Sequence, residues 1–174
     1  MKRLSFTLIE LLVVIAIIGL LAGLVLPVFS RAKEQGRSAA CLSNLHQLGV
    51  SLQVYIGEND DHLPYMQDRA TNSVSTNTYP SVDIVLARQL GSTNVLRCPS
   101  DNEELFEKTG SSYAWNDFLN GQSAANPNTL GLPLTPNEVP VFFDKDPFHQ
   151  LLGQENAKNF LYADQHIRNF FEGP

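Results

Sequence analysis

Cysteine is scarce in this chain: there are two, Cys41 and Cys98. Two cysteines cannot build a Cys-only zinc site, and nothing nearby has metal-finger spacing. Basic residues are also few, 12 Lys and Arg against 18 Asp and Glu, for a net charge of −6. An acidic body argues against nucleic acid as a partner, because phosphate contacts need clustered Lys and Arg. The one basic group, Arg31, Lys33 and Arg37, carries no interleaved aromatics. There is no G-x-S-x-G, no H-E-x-x-H and no phosphate-cradling glycine loop, so the common hydrolase and nucleotide signatures are missing. No internal repeat is present.

Polar residues are absent from one stretch above all. Leu11 to Leu26 holds sixteen residues without a charged or polar side chain. From Phe6 to Phe29 the run is long enough to cross a bilayer, which needs about 20 apolar residues. A cleaved secretory signal has a shorter apolar region, although Ala22 and Gly23 offer a small-residue site. Glu10 stands at the mouth of this run. A carboxylate in a membrane helix is expensive and functional by default. The plain alternative is a negative charge that helps the first helical turn at the interface.

"KRLSFTLIELLVVIAIIGLLAGLVLP" resembles the prepilin-type signal of type IV pilins and type II secretion pseudopilins. The resemblance implies a leader, residues 1–5, cut between Ser5 and Phe6 by a prepilin peptidase, with methylation of the new N-terminus at Phe6. Residues 6–29 would then be a transmembrane and polymerisation helix, and 30–174 a soluble head. The family usually has glycine where this chain has Ser5. Glu10 becomes the fifth mature residue, placed to neutralise the Phe6 amine of a neighbouring subunit, since either charge alone would be buried unpaired. Pro27 falls where family helices carry a proline. It either kinks a continuous helix or ends the span. Gly19 and Gly23 form a weak G-x-x-x-G pattern.

Beyond Pro27, Ala39, Leu42, Leu45, Leu48, Leu52 and Tyr55 recur at three- and four-residue spacing, which predicts a half-buried amphipathic helix. Gly57 and "ENDD" read as its stop. His46 is expected at the surface or in packing. Residues 57–82 and 120–138 read as loops, 82–90 as a short helix with Ile84, Leu86 and Leu90 partly buried, and "GSTNVLRCPSD" as a short strand entering a turn. Strands are expected at 139–144, 158–164 and 166–171, the last two joined at Asp164-Gln165. A type I′ turn there wants glycine where Gln165 stands, so Gln165 either costs about 1 kcal/mol or signals a different turn. The fold class is therefore α+β, a long N-terminal helix on a small antiparallel sheet, as in pilin heads.

"CLSNLHQLGVSLQVY", "LRCPSD", "SSYAWN" and "NFLYADQHIRNF" resemble a narrower group of pseudopilin-like proteins, named for a histidine nine residues before an Asp-Gly pair. This chain departs twice: Gln165 replaces the glycine, and His149 lies fifteen residues before Asp164. The resemblance implies an exported head, where disulfides persist, so Cys41 and Cys98 either pair or remain buried thiols. Asp144, Asp146 and Asp164 are calcium candidates, set against acidic turn residues that hydrogen-bond their own backbone.

The implied role is a structural filament subunit rather than an enzyme, without a resident cofactor. Its partners would be the prepilin peptidase, other pilin subunits, an inner-membrane assembly platform and the lipid bilayer. Lys2 and Arg3 would hold the N-terminus in the cytoplasm and leave the head outside. Two other readings stay open: a solitary membrane-anchored protein whose head binds a ligand, and a secreted enzyme released by ordinary signal cleavage.

Overall fold

The computed structural model describes residues 7–69, 79–128 and 134–169. Its spine is one helix, α1, Leu8–Glu58. At about 1.5 Å per residue, 51 residues give a rod of roughly 75 Å. Pro27 sits inside α1, which runs on past it without a break. The apolar run and the amphipathic segment are therefore one element, not two.

The buried stripe of α1 is Glu34, Ser38, Cys41, Leu45, Leu48, Leu52 and Ile56, with Gly49 and Ser51 beside it. This corrects the expected face. Ala39 is exposed, and Leu42 and Tyr55 are only half-buried. The three- and four-residue period holds, but it is rotated toward positions whose side chains are partly polar. His46 is exposed. Gly57 remains helical, and the chain turns at Asp60 and Asp61, both with positive φ. Short acidic side chains tolerate that conformation better than most.

The head is built from two short helices, α2 (Val82–Val85) and α3 (Leu105–Thr109), and four strands, β1 (Tyr113–Trp115), β2 (Pro140–Asp144), β3 (Phe160–Tyr162) and β4 (Ile167–Arg168). The strands pair antiparallel in chain order. A small antiparallel sheet on a long helix is the α+β arrangement expected.

Three local expectations change. The short strand before Cys98 is a single 3-10 turn, Thr93–Leu96, whose N-cap Ser92 accepts a bond from Asn94 N–H. The 82–90 helix stops at Val85, and Ile84 faces solvent while Leu86 and Leu90 are buried. The expected strands are shorter than the apolar runs that marked them, and β1, which lies in "SSYAWN", was not expected as a strand. The outer part of the 166–171 strand and residues 70–78 and 129–133 of the two loops lie outside the described residues.

The core lies between α1 and the sheet. Tyr113, Trp115, Val141, Phe142 and Leu161 meet Leu45, Leu48 and Leu52 in one buried cluster. Trp115 and Phe142 pack with ring centroids 5.0 Å apart. Asn120 pins the connection after α1: it accepts bonds from Met66 N–H and Trp115 Nε1–H and donates to Met66 O. Two of these bonds satisfy the buried Met66 backbone, and the third satisfies the Trp115 indole.

Candidate functional site

Two parts of the molecule carry chemistry. The first is the N-terminal half of α1. No residue from Thr7 to Lys33 is buried against the head. The large apolar side chains from Leu8 to Phe29 are 45% to 81% exposed. An 18-residue window here has a mean hydropathy of 3.0. An all-round apolar helix standing free of its own domain needs lipid or other helices around it.

Thr7 caps this helix. Its Oγ1 accepts a bond from Glu10 N–H, and the Glu10 carboxylate accepts from Thr7 N–H at 2.8 Å and Thr7 Oγ1–H at 2.7 Å. This capping box satisfies two amide donors that a helix start leaves open. Within one chain, Glu10 therefore has a local partner at the first turn. Ser5 and Phe6 lie outside the described residues. At Pro27 the ring removes one backbone donor, and Ser30 Oγ donates to Leu26 O at 3.1 Å just beyond it.

The second part is a buried polar junction where α1 meets the head. Cys41 and Cys98 form a disulfide with Cα atoms 5.0 Å apart, tying α1 to the segment before α3. Asn44 Nδ2 adds a bond to Arg97 O at 2.7 Å. Two turns earlier on α1, Glu34 is buried. Its Oε1 accepts from Ser100 Oγ at 2.6 Å and from His149 Nδ1 at 2.8 Å. His149 Nε2 then faces Cys98 Sγ at 3.8 Å and Asp144 Oδ2 at 3.7 Å. Asp144 Oδ2 also accepts from Asn159 N–H and Asn159 Nδ2, while its Oδ1 is buried without a partner. Burial pushes the Asp144 carboxyl up from 3.8 to about 7, against the opposing Asn159 bonds and Lys158 charge. Buried carboxyl groups of this kind need hydrogen-bond partners, which Glu34 and Asp144 find on three separate segments.

The three calcium candidates occupy different settings. Asp144 is fully buried, Asp146 is half-buried, and Asp164 is exposed and bonded to His166. Among the described residues, the ligand atoms that do gather within 4.8 Å of one another belong to Cys41, Cys98 and His149. The sequence reading singled out both cysteines but not Glu34, which is the first buried residue of the α1 stripe. Carrying the spacing back from Cys41 through Ser38 to Glu34 would have found it.

Residues 1–26 match the family described as the prokaryotic N-terminal methylation motif. No curated protein and no solved structure matches the chain. The motif is the N-terminal signature of type IV pilin-like proteins and pseudopilins, whose role is structural rather than enzymatic. It implies processing by a prepilin peptidase and assembly with other pilin subunits. It coincides with the apolar half of α1, a helix long and apolar enough to cross a membrane, and the two together suggest a membrane anchor.

Proposed function

We propose that this type IV pilin-like chain is a pseudopilin or minor pilin, a structural subunit of a pilus-like or secretion filament. One observation supports the reading best. The apolar half of α1 projects from the head with no residue buried, and carries a single carboxylate, Glu10. Such a rod suits lipid before assembly and a bundle of identical helices after it.

The leader is removed between Ser5 and Phe6, Phe6 is methylated, and residues 6–29 hold the protein in the inner membrane with the head of residues 30–174 outside. On assembly, the Phe6 amine of one subunit meets Glu10 of another. Glu10 then exchanges its own Thr7 bonds for an ion pair that keeps both charges partnered in an apolar bundle. Pro27 supplies a point where the rod can bend, because its missing N–H leaves one helical bond unmade.

Intact-mass spectrometry of protein from the producing cell tests the processing. The expected mature chain lacks Met1–Ser5 and carries one extra methyl on Phe6. A chain starting beyond Ala22, or one left uncut and solitary in the bilayer, overturns the reading. Glu10→Ala is expected to insert into membranes at the wild-type level while its incorporation into filaments falls at least tenfold, a change of about 1.4 kcal/mol or more.

A further inference from the structure

The buried junction has the layout of a metal site closed by a disulfide. His149 has its Nδ1 committed to Glu34 Oε1 at 2.8 Å. A carboxylate on one ring nitrogen fixes the tautomer, so that the proton sits on Nδ1 and the Nε2 lone pair is free to bind. That lone pair points at Cys98 Sγ, 3.8 Å away, and at Asp144 Oδ2, 3.7 Å away. Zinc with Zn–S of about 2.3 Å and Zn–N of about 2.0 Å, at the tetrahedral angle, separates sulfur from nitrogen by roughly 3.5 Å. The corresponding nitrogen–oxygen separation is roughly 3.4 Å. The observed spacings lie within a few tenths of an ångström of both. Asp144 Oδ1, buried and without a partner, belongs to the carboxylate nearest the fourth position.

We propose that the reduced head binds one zinc ion through Cys41, Cys98 and His149, so that the disulfide and the metal are alternative closures of one junction. Reduction by a phosphine balances as disulfide plus phosphine plus water giving two thiols and phosphine oxide. Zinc then displaces the two thiol protons, which leave to solvent. Two thiolates and a neutral imidazole cancel the charge of the ion, which suits a site buried on all three ligands. Two sulfurs and an imidazole select zinc over the harder cations once reduction frees the sulfurs, bonded to each other in the disulfide, to move apart to either side of the ion. Glu34 acts as a positioning residue through His149. The same contact that holds α1 to the head would orient the ligand.

The test uses the full chain in detergent micelles, with and without a water-soluble phosphine, titrated with zinc against a competing chromophoric chelator. One zinc per chain is expected in the reduced protein and none in the oxidised protein. Cobalt in place of zinc is expected to show a thiolate-to-metal charge-transfer band and the visible bands of a tetrahedral ion. Glu34→Gln should weaken zinc binding about 10- to 100-fold, the usual effect of disturbing the partner of a ligating histidine. Cys98→Ser and His149→Gln should weaken it more. Should reduction alone abolish the native emission of Trp115, added zinc is expected to restore it, because ligands that bind only the folded form drive folding. Where a variant lacks native Trp115 emission, the cobalt spectrum of the wild type decides instead. Reduced wild type that takes up no zinc, or cobalt without the thiolate band, overturns the proposal, as does equal uptake by the oxidised chain.

Discussion

Gly49 of α1 packs against Leu161 of β3 so closely that a side chain on the helix would press on it. A β-carbon built on Gly49 would lie 3.0 Å from Leu161 Cδ2 and 3.4 Å from its Cδ1, and would also strike Gln165 Oε1. Leu161 is fully buried, so it has little room to yield. Overpacking a tight core costs about 1–3 kcal/mol, whereas alanine gains about 1 kcal/mol over glycine in a helix. Gly49→Ala is therefore expected to destabilise the head by about 1 kcal/mol. Trp115, the single tryptophan, is buried and reports the urea midpoint by its fluorescence.

Gln165 itself is strained. It has φ +73°, its N–H bonds to Tyr162 O, and Tyr162 N–H bonds to His166 O. This is a three-residue loop whose last position is left-handed, the different turn that Gln165 in place of glycine signals. A non-glycine residue there costs about 1 kcal/mol. Gln165→Gly should raise the urea midpoint by up to about that amount. An unchanged midpoint would mean that the Gln165 side chain recovers the strain by packing over Gly49.

These positions show what could be read from residue order and what could not. The long helix was legible because an uninterrupted apolar run and a three- and four-residue period leave little else for residues 6–56 to be. The face was misplaced because Glu34 and Ser38 are polar, and the burial of Glu34 depends on Ser100 and His149, the latter 115 positions away. β1 escaped notice because Tyr113, Ala114 and Trp115 are all buried and show no alternation. Thr93–Leu96 has strand-forming residues but gains its 3-10 turn from the Ser92 cap. Asp144 was marked by its charge, yet its partners, Asn159 and His149, are set by the pairing of β2 with β3 and by the connection between them.

The disulfide should carry much of the head's stability. Cys41 and Cys98 are 57 positions apart. In the chain-entropy account, closing a loop of that size stabilises by about 4 kcal/mol. The double substitution Cys41→Ala with Cys98→Ala is expected to lower unfolding stability by about 2–5 kcal/mol, read from urea curves of the full chain in detergent. A midpoint within error of wild type would show that Asn44–Arg97 and Glu34–His149 hold the junction unaided.

Stability should fall as pH rises from about 4 to about 7, and Asp144 is the reason. Its folded carboxyl titrates at about 7, raised chiefly by burial, while in the unfolded chain it titrates near 3.9. Between those values the folded form holds a proton that the unfolded form has released, so raising the pH favours unfolding. The contribution is complete below about pH 4 and gone above about pH 7, with a limiting slope of about 1.4 kcal/mol per pH unit. Asp68, raised to about 6 mainly by burial and opposed by Lys145, adds the same sign over a narrower window. Asp144 is faced by His149, whose Nε2 is 3.7 Å away, by Tyr113, its partner across β1 and β2, and by Lys158, whose charge pulls the carboxyl down. Asp144→Asn removes the titration and keeps an oxygen that can accept both Asn159 bonds. Urea midpoints taken from about pH 5 to about pH 7.5 should therefore decline more steeply in the wild type than in Asp144→Asn, with the Asp68 share left in both. Parallel curves would mean that Asp144 is ionised in the folded head throughout that range, its burial balanced by the groups that face it.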